Sequence, residues 1–170
     1  RRGVAGRRTA RRQAPDRLVQ CELAILVLVT EIKPLRIARL FPGHLSVSIA
    51  VEVRDDPKVR ANVTHLRQIA TNLISNSIKY RHPDRPCEIN GEVWRTGDLV
   101  HLTFQDNGIG IPPGSEQRAF EMFQRLQSSG SGTGIGLALV RTLVEKYSGT
   151  ISLTSDGKSG TKVTIEFPSA

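Results

Sequence analysis

Two periodicities divide the apolar residues of this chain, one of two residues and one between three and four. From His44 to Arg54, Leu45, Val47, Ile49, Val51 and Val53 alternate with Ser46, Ser48 and Glu52, which predicts a strand with one buried face. Asp55-Asp56-Pro57 turns the chain, and a long helix is predicted from about Asn62 to Arg81, stopped by His82-Pro83. Leu66, Ile69, Ala70, Leu73, Ile74 and Ser77 recur at helical spacing and define its buried stripe. Residues 88–94 and 99–105 flank Arg95-Thr96-Gly97-Asp98 and predict a β-hairpin. Residues 150–155 and 160–167 predict a second one across Asp156-Gly157-Lys158-Ser159. Between the hairpins lie a short helix around Arg118 to Arg125 and a longer one from about Gly134 to Tyr147. Near the start, Leu18, Val19, Leu23, Leu26 and Val27 predict a helix that begins at Asp16 and ends before Pro34, although this apolar run also has strand character. Helices and antiparallel hairpins in this order predict an α+β fold: a two-layer sandwich whose mixed, mostly antiparallel sheet is covered by helices on one face.

Composition narrows the function classes. A chain of 170 residues is long enough for one domain with a real core. The formal charge of +8 points to nucleic acid until it is located: residues 1–17 hold seven arginines against Asp16, leaving only +2 for the other 153 residues. Residues 1–15 read as a basic tail or connecting segment, and no interleaved aromatic residues offer a platform for stacked bases, so nucleic acid is not an expected partner. The longest apolar run, Leu23 to Val29, falls far short of the roughly 18 residues that span a bilayer. No signal-peptide pattern follows the arginines, and the expected location is the cytoplasm. Cys21 and Cys87 stand far apart without a CxxC pair or a His/Cys cluster, which indicates neither a disulfide framework nor a zinc site.

Three segments carry chemistry. On the long helix, Asn72, Asn76 and Lys79 are spaced four and three apart and align on one face. Two amides and an ammonium there offer oxygen to a hard cation and positive charge to phosphate, and the same spacing also describes a solvated polar face. Asp106-Asn107-Gly108-Ile109-Gly110-Ile111 follows an apolar strand, so its carboxylate needs donors, and an exocyclic purine amine is one. Gly108 and Gly110 let backbone approach a flat ring. Gly130-Ser131-Gly132-Thr133-Gly134-Ile135-Gly136 opens an apolar helix, whose free N–H groups form an anion site. Two familiar phosphate motifs fail: Ile135 and Leu137 break a GxGxxG fingerprint, and Ser152 replaces the first glycine that Gly157-Lys158-Ser159 would need in a P-loop.

Taken in order, these segments resemble the catalytic ATP-binding domain of sensor histidine kinases, within the Bergerat-type ATPase superfamily that includes gyrase, Hsp90 and MutL. The resemblance runs from about Asp16 to Pro168, within a domain taken as residues 16–170. It rests on an N box (Gln68 to Tyr80), a first glycine box (Asp106 to Ile111), an F box (Phe120 to Phe123) and a second glycine box (Gly132 to Gly136). The run Asn72 to Tyr80 with Phe123-Gln124-Arg125-Leu126 looks most like the kinases related to bacterial phytochromes. The resemblance implies ATP and Mg²⁺ as ligands. Asn76 would coordinate the metal with Asn72 beside it, Lys79 and Arg125 would contact phosphates, and Tyr80 would pack near ribose or base. Asp106 would take the adenine amine, with Thr161 supporting it. Gly108, Gly110, Ile111, Phe123, Gly132, Thr133, Gly134, Gly136 and Leu137 would complete the nucleotide site and its lid.

One residue separates the branches of that superfamily. Where the gyrase and Hsp90 branch carries a glutamate as general base, four residues before the metal-binding asparagine, this chain has Asn72. An amide cannot take a proton from water near neutral pH, so transfer of the γ-phosphoryl to a histidine imidazole is the expected reaction. The family's phosphoacceptor motif is missing: His44, His65 and His101 lack its context, and His82-Pro83 is a helix stop. The expected partners are therefore a phosphoacceptor dimerisation domain of the same kinase and a cognate response regulator. A serine kinase of the anti-sigma type and a non-catalytic nucleotide-binding scaffold share the fold. The lid, Gln127-Ser128-Ser129-Gly130-Ser131, is short for the family, and Ser77 replaces its usual alanine, a change expected to be neutral.

Overall fold

The structure is a computed structural model and describes residues 18–20, 47–55, 57–122 and 134–170. Strand β1 (Leu18–Gln20) pairs antiparallel with β3 (Lys58–Arg60), in the register Leu18 to Arg60. Strand β2 (Val47–Val53) lies at one edge of a five-stranded sheet. The long helix α1 (Val63–Lys79) follows, then β4 (Cys87–Thr96) and β5 (Leu99–Asp106). A 3₁₀ turn (Arg118–Phe120), helix α2 (Gly136–Lys146), β6 (Thr150–Ser155) and β7 (Thr161–Pro168) complete the described chain.

The sheet order is β2-β4-β5-β7-β6. Only β2 and β4 run parallel, joined by the crossover through α1; the other three pairs are antiparallel. The sheet is thus mixed and mostly antiparallel, as the sequence predicts. Strand β4 alternates buried Cys87, Ile89 and Val93 with exposed Glu88, Asn90 and Glu92, so one face meets the core and the other meets water. The β4–β5 hairpin is tighter than the pattern suggests: Thr96 pairs with Leu99, leaving Gly97-Asp98 as the turn, with Gly97 at φ +58°.

Helix α1 starts where Asn62 Oδ1 accepts the Thr64 N–H at 2.8 Å. Its buried stripe is Leu66, Ile69, Ala70, Leu73, Ile74 and Ser77, the set that periodicity selects. Helix α2 buries Ala138, Val140, Leu143 and Val144. The Tyr147 hydroxyl accepts the Asn62 N–H at 3.1 Å and meets His65 Nδ1 at 2.6 Å, which pins the start of α1 to the end of α2. The core joins these stripes to Ile89, Val93, Val100, Leu102, Val163, Ile165 and Phe167, and each fully buried large side chain contributes about 1.5–3 kcal/mol.

Leu18–Gln20 depart from expectation. They are a strand rather than the first turn of a helix, because pairing with Lys58–Arg60 supplies backbone partners that outweigh the local helical spacing. The remainder of that predicted helix and residues 44–46 of the predicted strand lie outside the described residues. Of the short helix expected over Arg118 to Arg125, Arg118–Phe120 form a single 3₁₀ turn, Glu121 and Met122 are not helical, and the rest lies outside the described residues.

Candidate functional site

The C-terminal half of α1 and the end of β5 line one cavity of about 100 Å³. Leu73, Phe104, Ile111, Ala119, Leu137, Leu153 and Val163 give it apolar walls. Asn76, Ser77, Tyr80, Asp106 and Thr161 supply its polar groups.

Asp106 ends β5 beneath this cavity, and its carboxylate is held by three protein donors. Oδ1 accepts the backbone N–H groups of Gly108 at 2.9 Å and Thr161 at 3.1 Å. Oδ2 accepts the Ser77 hydroxyl at 3.0 Å. A carboxylate has about four lone-pair sites, so one acceptor position on Oδ2 is left for a ligand donor. Such a site takes the exocyclic amine of a purine and repels a carbonyl in the same place. The Ser77 hydroxyl also lies 3.1 Å from the Leu73 carbonyl, so both acceptors that compete for its proton belong to the protein. Serine at 77, expected to be neutral, is within hydrogen-bond reach of the acid and can take one of its acceptor positions.

The first glycine box closes tightly around this acid. Gly108 runs so close to α1 that an added Cβ would stand 2.5 Å from the Tyr80 carbonyl, which accepts the Ile109 N–H at 3.0 Å. Gly110 has φ +74°, and a Cβ there would press on Ser155 Oγ at 2.8 Å. Gly160, at φ +111°, lies against the Asp106 carbonyl with no room for a side chain. The Asn107 side chain completes the edge of β4, accepting the Glu88 N–H at 2.9 Å and donating to the Pro86 carbonyl at 3.0 Å. Cys87 lies just below, its thiol 3.7 Å from the Ser77 carbonyl. Burial pushes that thiol above its ordinary value and the negative charge of Asp106 adds to the effect, while Arg81 opposes it.

The N-box amides meet the second glycine box. A Cβ at Gly136 would stand 3.1 Å from Asn72 Oδ1 and within 3.7 Å of both side-chain polar atoms of Asn76. Glycine at 136 therefore lets the start of α2 sit over these two amides. Asn72 donates to the Gln68 carbonyl at 2.8 Å and stands beside the cavity rather than in its wall, whereas Asn76 lines it. The N-cap residue of α2, Ile135, makes no side-chain cap bond, and a helix N-terminus of this kind can offer its first-turn N–H groups to an anion. Gly134, at φ +69°, leads into that turn.

The expected residues are partly assembled. Asn76, Tyr80, Asp106, Gly110, Ile111, Leu137 and Thr161 line one cavity, and Asn72, Gly108 and Gly136 adjoin it. Lys79 is not in the wall; its ammonium donates to the Tyr80 hydroxyl at 2.9 Å and sits 4.6 Å from the ring centre. Phe123, Arg125, Gly132 and Thr133 lie outside the described residues. Sequence reasoning missed Ser155, whose hydroxyl accepts the Ile111 N–H at 2.9 Å and donates to the Gly160 carbonyl at 2.7 Å. It also missed Arg85, which donates to the carbonyls of Asn107 and Gly108 at 2.8 and 3.0 Å. Both act on backbone groups, which leave no trace in a residue pattern.

The residues fit a nucleotide and a hard cation to different degrees. The spare acceptor of Asp106 matches a purine amine. For a cation, no cluster of three His, Cys, Asp or Glu side chains exists among the described residues. A single amide oxygen, that of Asn76, suits Mg²⁺ held mainly by phosphates and water.

The fold defines a class, a mixed sheet with helices over one face and a lined cavity against them. The chain belongs to the family of histidine kinase-, DNA gyrase B- and HSP90-like ATPases, which matches it over residues 61–170. It is 37% identical over 135 residues to the circadian input-output histidine kinase CikA of Synechococcus elongatus, covering 77% of this chain and 18% of that protein. Among solved structures, the mycobacterial sensor histidine kinase MprB matches with a TM-score of 0.73 at 23% identity, over 91% of this chain and 97% of the other. Full-length ShkA in complex with AMPPNP matches with a TM-score of 0.72 at 24% identity, over 90% of this chain and 31% of that one. The chain thus spans less than a fifth of the length of CikA. Among the described residues no helix is long and apolar enough to cross a membrane.

Proposed function

We propose that this chain is the catalytic ATP-binding domain of a sensor histidine kinase, formed by residues 16–170 and joined through residues 1–15 to a dimerisation domain that bears the phosphoacceptor histidine. Asp106 takes the adenine amine on its remaining acceptor position. Tyr80 flanks the ribose or base, and the α2 N-terminus receives phosphate oxygens, with Lys79 and Arg125 adding positive charge. Gly132 and Thr133 shape the lid that leads into Gly134 and Gly136. When bound, Mg²⁺ neutralises phosphate charge, and Asn76 is the residue that would hold it. AMPPNP in the ShkA complex, an ATP analogue in a protein of the same fold, supports the choice of ligand.

The observation that carries the kinase assignment is the place of Asn72. Its amide stands beside Asn76 at the start of α2, the position at which the resemblance puts a glutamate base in the gyrase and Hsp90 branch. An amide supplies no such base, so hydrolysis is slow and a better nucleophile is needed. An imidazole nitrogen of the partner domain attacks the γ-phosphorus as the bond to the β–γ bridging oxygen breaks. ADP leaves with that electron pair, and positioning and charge neutralisation do most of the work. A response regulator then receives the phosphoryl group.

The test is to supply this chain with a cognate dimerisation domain and radiolabelled ATP. Acid-labile label on the partner supports the proposal. Acid-stable phosphoserine would instead make it a serine kinase, and binding without transfer would make it a scaffold.

A further inference from the structure

Arg85 lies outside the four boxes and outside the cavity wall, yet it touches two loops that run into wall residues, one into Gly110 and Ile111 and the other into Thr161. Its Nε donates to the Asn107 carbonyl at 2.8 Å, and its Nη2 donates to the carbonyls of Gly108 at 3.0 Å and Lys158 at 3.2 Å. The first two belong to the loop that follows Asp106. The third belongs to the β6–β7 turn, which leads through Gly160 to the Thr161 N–H on the same carboxylate. The two loops press together with nothing between them: a Cβ on Gly110 would stand 3.0 Å from Gly157 Cα. A planar guanidinium holds its donors in a fixed fork that matches three carbonyls at set angles, whereas the three donors of an ammonium rotate on a flexible stem.

We propose that Arg85 is a positioning residue that clamps the first glycine box to the β6–β7 turn and so sets the width of the purine slot. This rests on the reading of the cavity as an adenine site. Because the clamp acts on the end that holds the base, its loss weakens adenosine and ADP by the same factor. A residue that contacted phosphate would affect ADP alone. Because it acts through a guanidinium, a free guanidinium ion entering the vacated space restores part of the lost affinity.

The experiment is calorimetric titration of the 170-residue chain and of Arg85→Met and Arg85→Lys with adenosine and with Mg²⁺-ADP, alongside their melting temperatures. Arg85→Met is expected to lose about tenfold in affinity, equivalent to ~1.4 kcal/mol, for both ligands alike. Millimolar guanidinium chloride is expected to recover part of this, and equal sodium chloride none. Arg85→Lys is expected to fall between Met and wild type, and it carries the test if the Met variant does not fold. Affinities within twofold of wild type in the folded variants would overturn the proposal, as would a loss confined to ADP or one that guanidinium does not relieve. A wild-type chain that binds neither ligand would overturn the adenine-site reading itself.

Discussion

Ser77 and Asp106, 29 positions apart in the chain, meet at 3.0 Å where the buried stripe of α1 reaches the end of β5. One side chain is therefore both a core residue and a donor to the acid of the site. Ser77→Ala removes a donor from Oδ2 and leaves the carboxylate freer to turn. The loss of one hydrogen bond to a charged group is expected to weaken ADP binding by about three- to tenfold. The fold should persist, since alanine suits a helix. Calorimetry with ADP, checked against circular dichroism, reads both effects.

Asn76 lines the cavity, and no cluster of three His, Cys, Asp or Glu side chains exists among the described residues. In Asn76→Ala the gain in ADP affinity on adding Mg²⁺ is expected to disappear. Affinity without the metal should stay within about a factor of two, as for substitutions away from buried partners. Titrations with Mg²⁺ and with EDTA separate the two quantities.

Gly160→Ala tests the backbone geometry around the acid. At φ +111°, with the Asp106 carbonyl against it, a side chain has no allowed place. The substitution is expected to cost at least about 2 kcal/mol by adding strain to a clash. Urea denaturation measures the loss, and Gly97→Ala, where φ is +58° but nothing lies within 4 Å, should cost clearly less.

Asp156 predicts a pH dependence. The Ser159 N–H at 2.7 Å, with the Ser159 hydroxyl and the Lys158 N–H at 2.8 Å, lowers its carboxyl from 3.8 to about 2. The folded state therefore holds this proton less tightly than the unfolded state. The stability it contributes is complete above pH ~4 and is lost as pH falls toward ~2. Asp156→Ala should flatten the stability profile in that window alone, as followed by thermal melts from pH 5 to 2.

Much of the fold was readable because α1, α2 and the two hairpins bury one face at a regular period, so their patterns are local. The buried stripe of α1 came out residue for residue. Leu18–Gln20 did not, because their strand exists only through pairing with Lys58–Arg60 some 40 residues away. The site divides in the same way. Asp106, Asn76 and Gly110, which line one cavity, were visible because a carboxylate, an amide and a missing Cβ stand out in a residue pattern. Arg85 and Ser155 act on carbonyl and N–H groups of distant loops, and Ser77 looked like core because it is core.

The proposed function depends on Asp106 as the acceptor for the base. Asparagine at this position has one acceptor oxygen where Ser77, Gly108 and Thr161 present three donors, and its amide would turn a donor toward the purine amine. Calorimetric titration of Asp106→Asn with Mg²⁺-ADP, on protein shown to be folded, tests this directly. The account predicts a loss of at least about tenfold in affinity. Binding as tight as that of the wild type would contradict it.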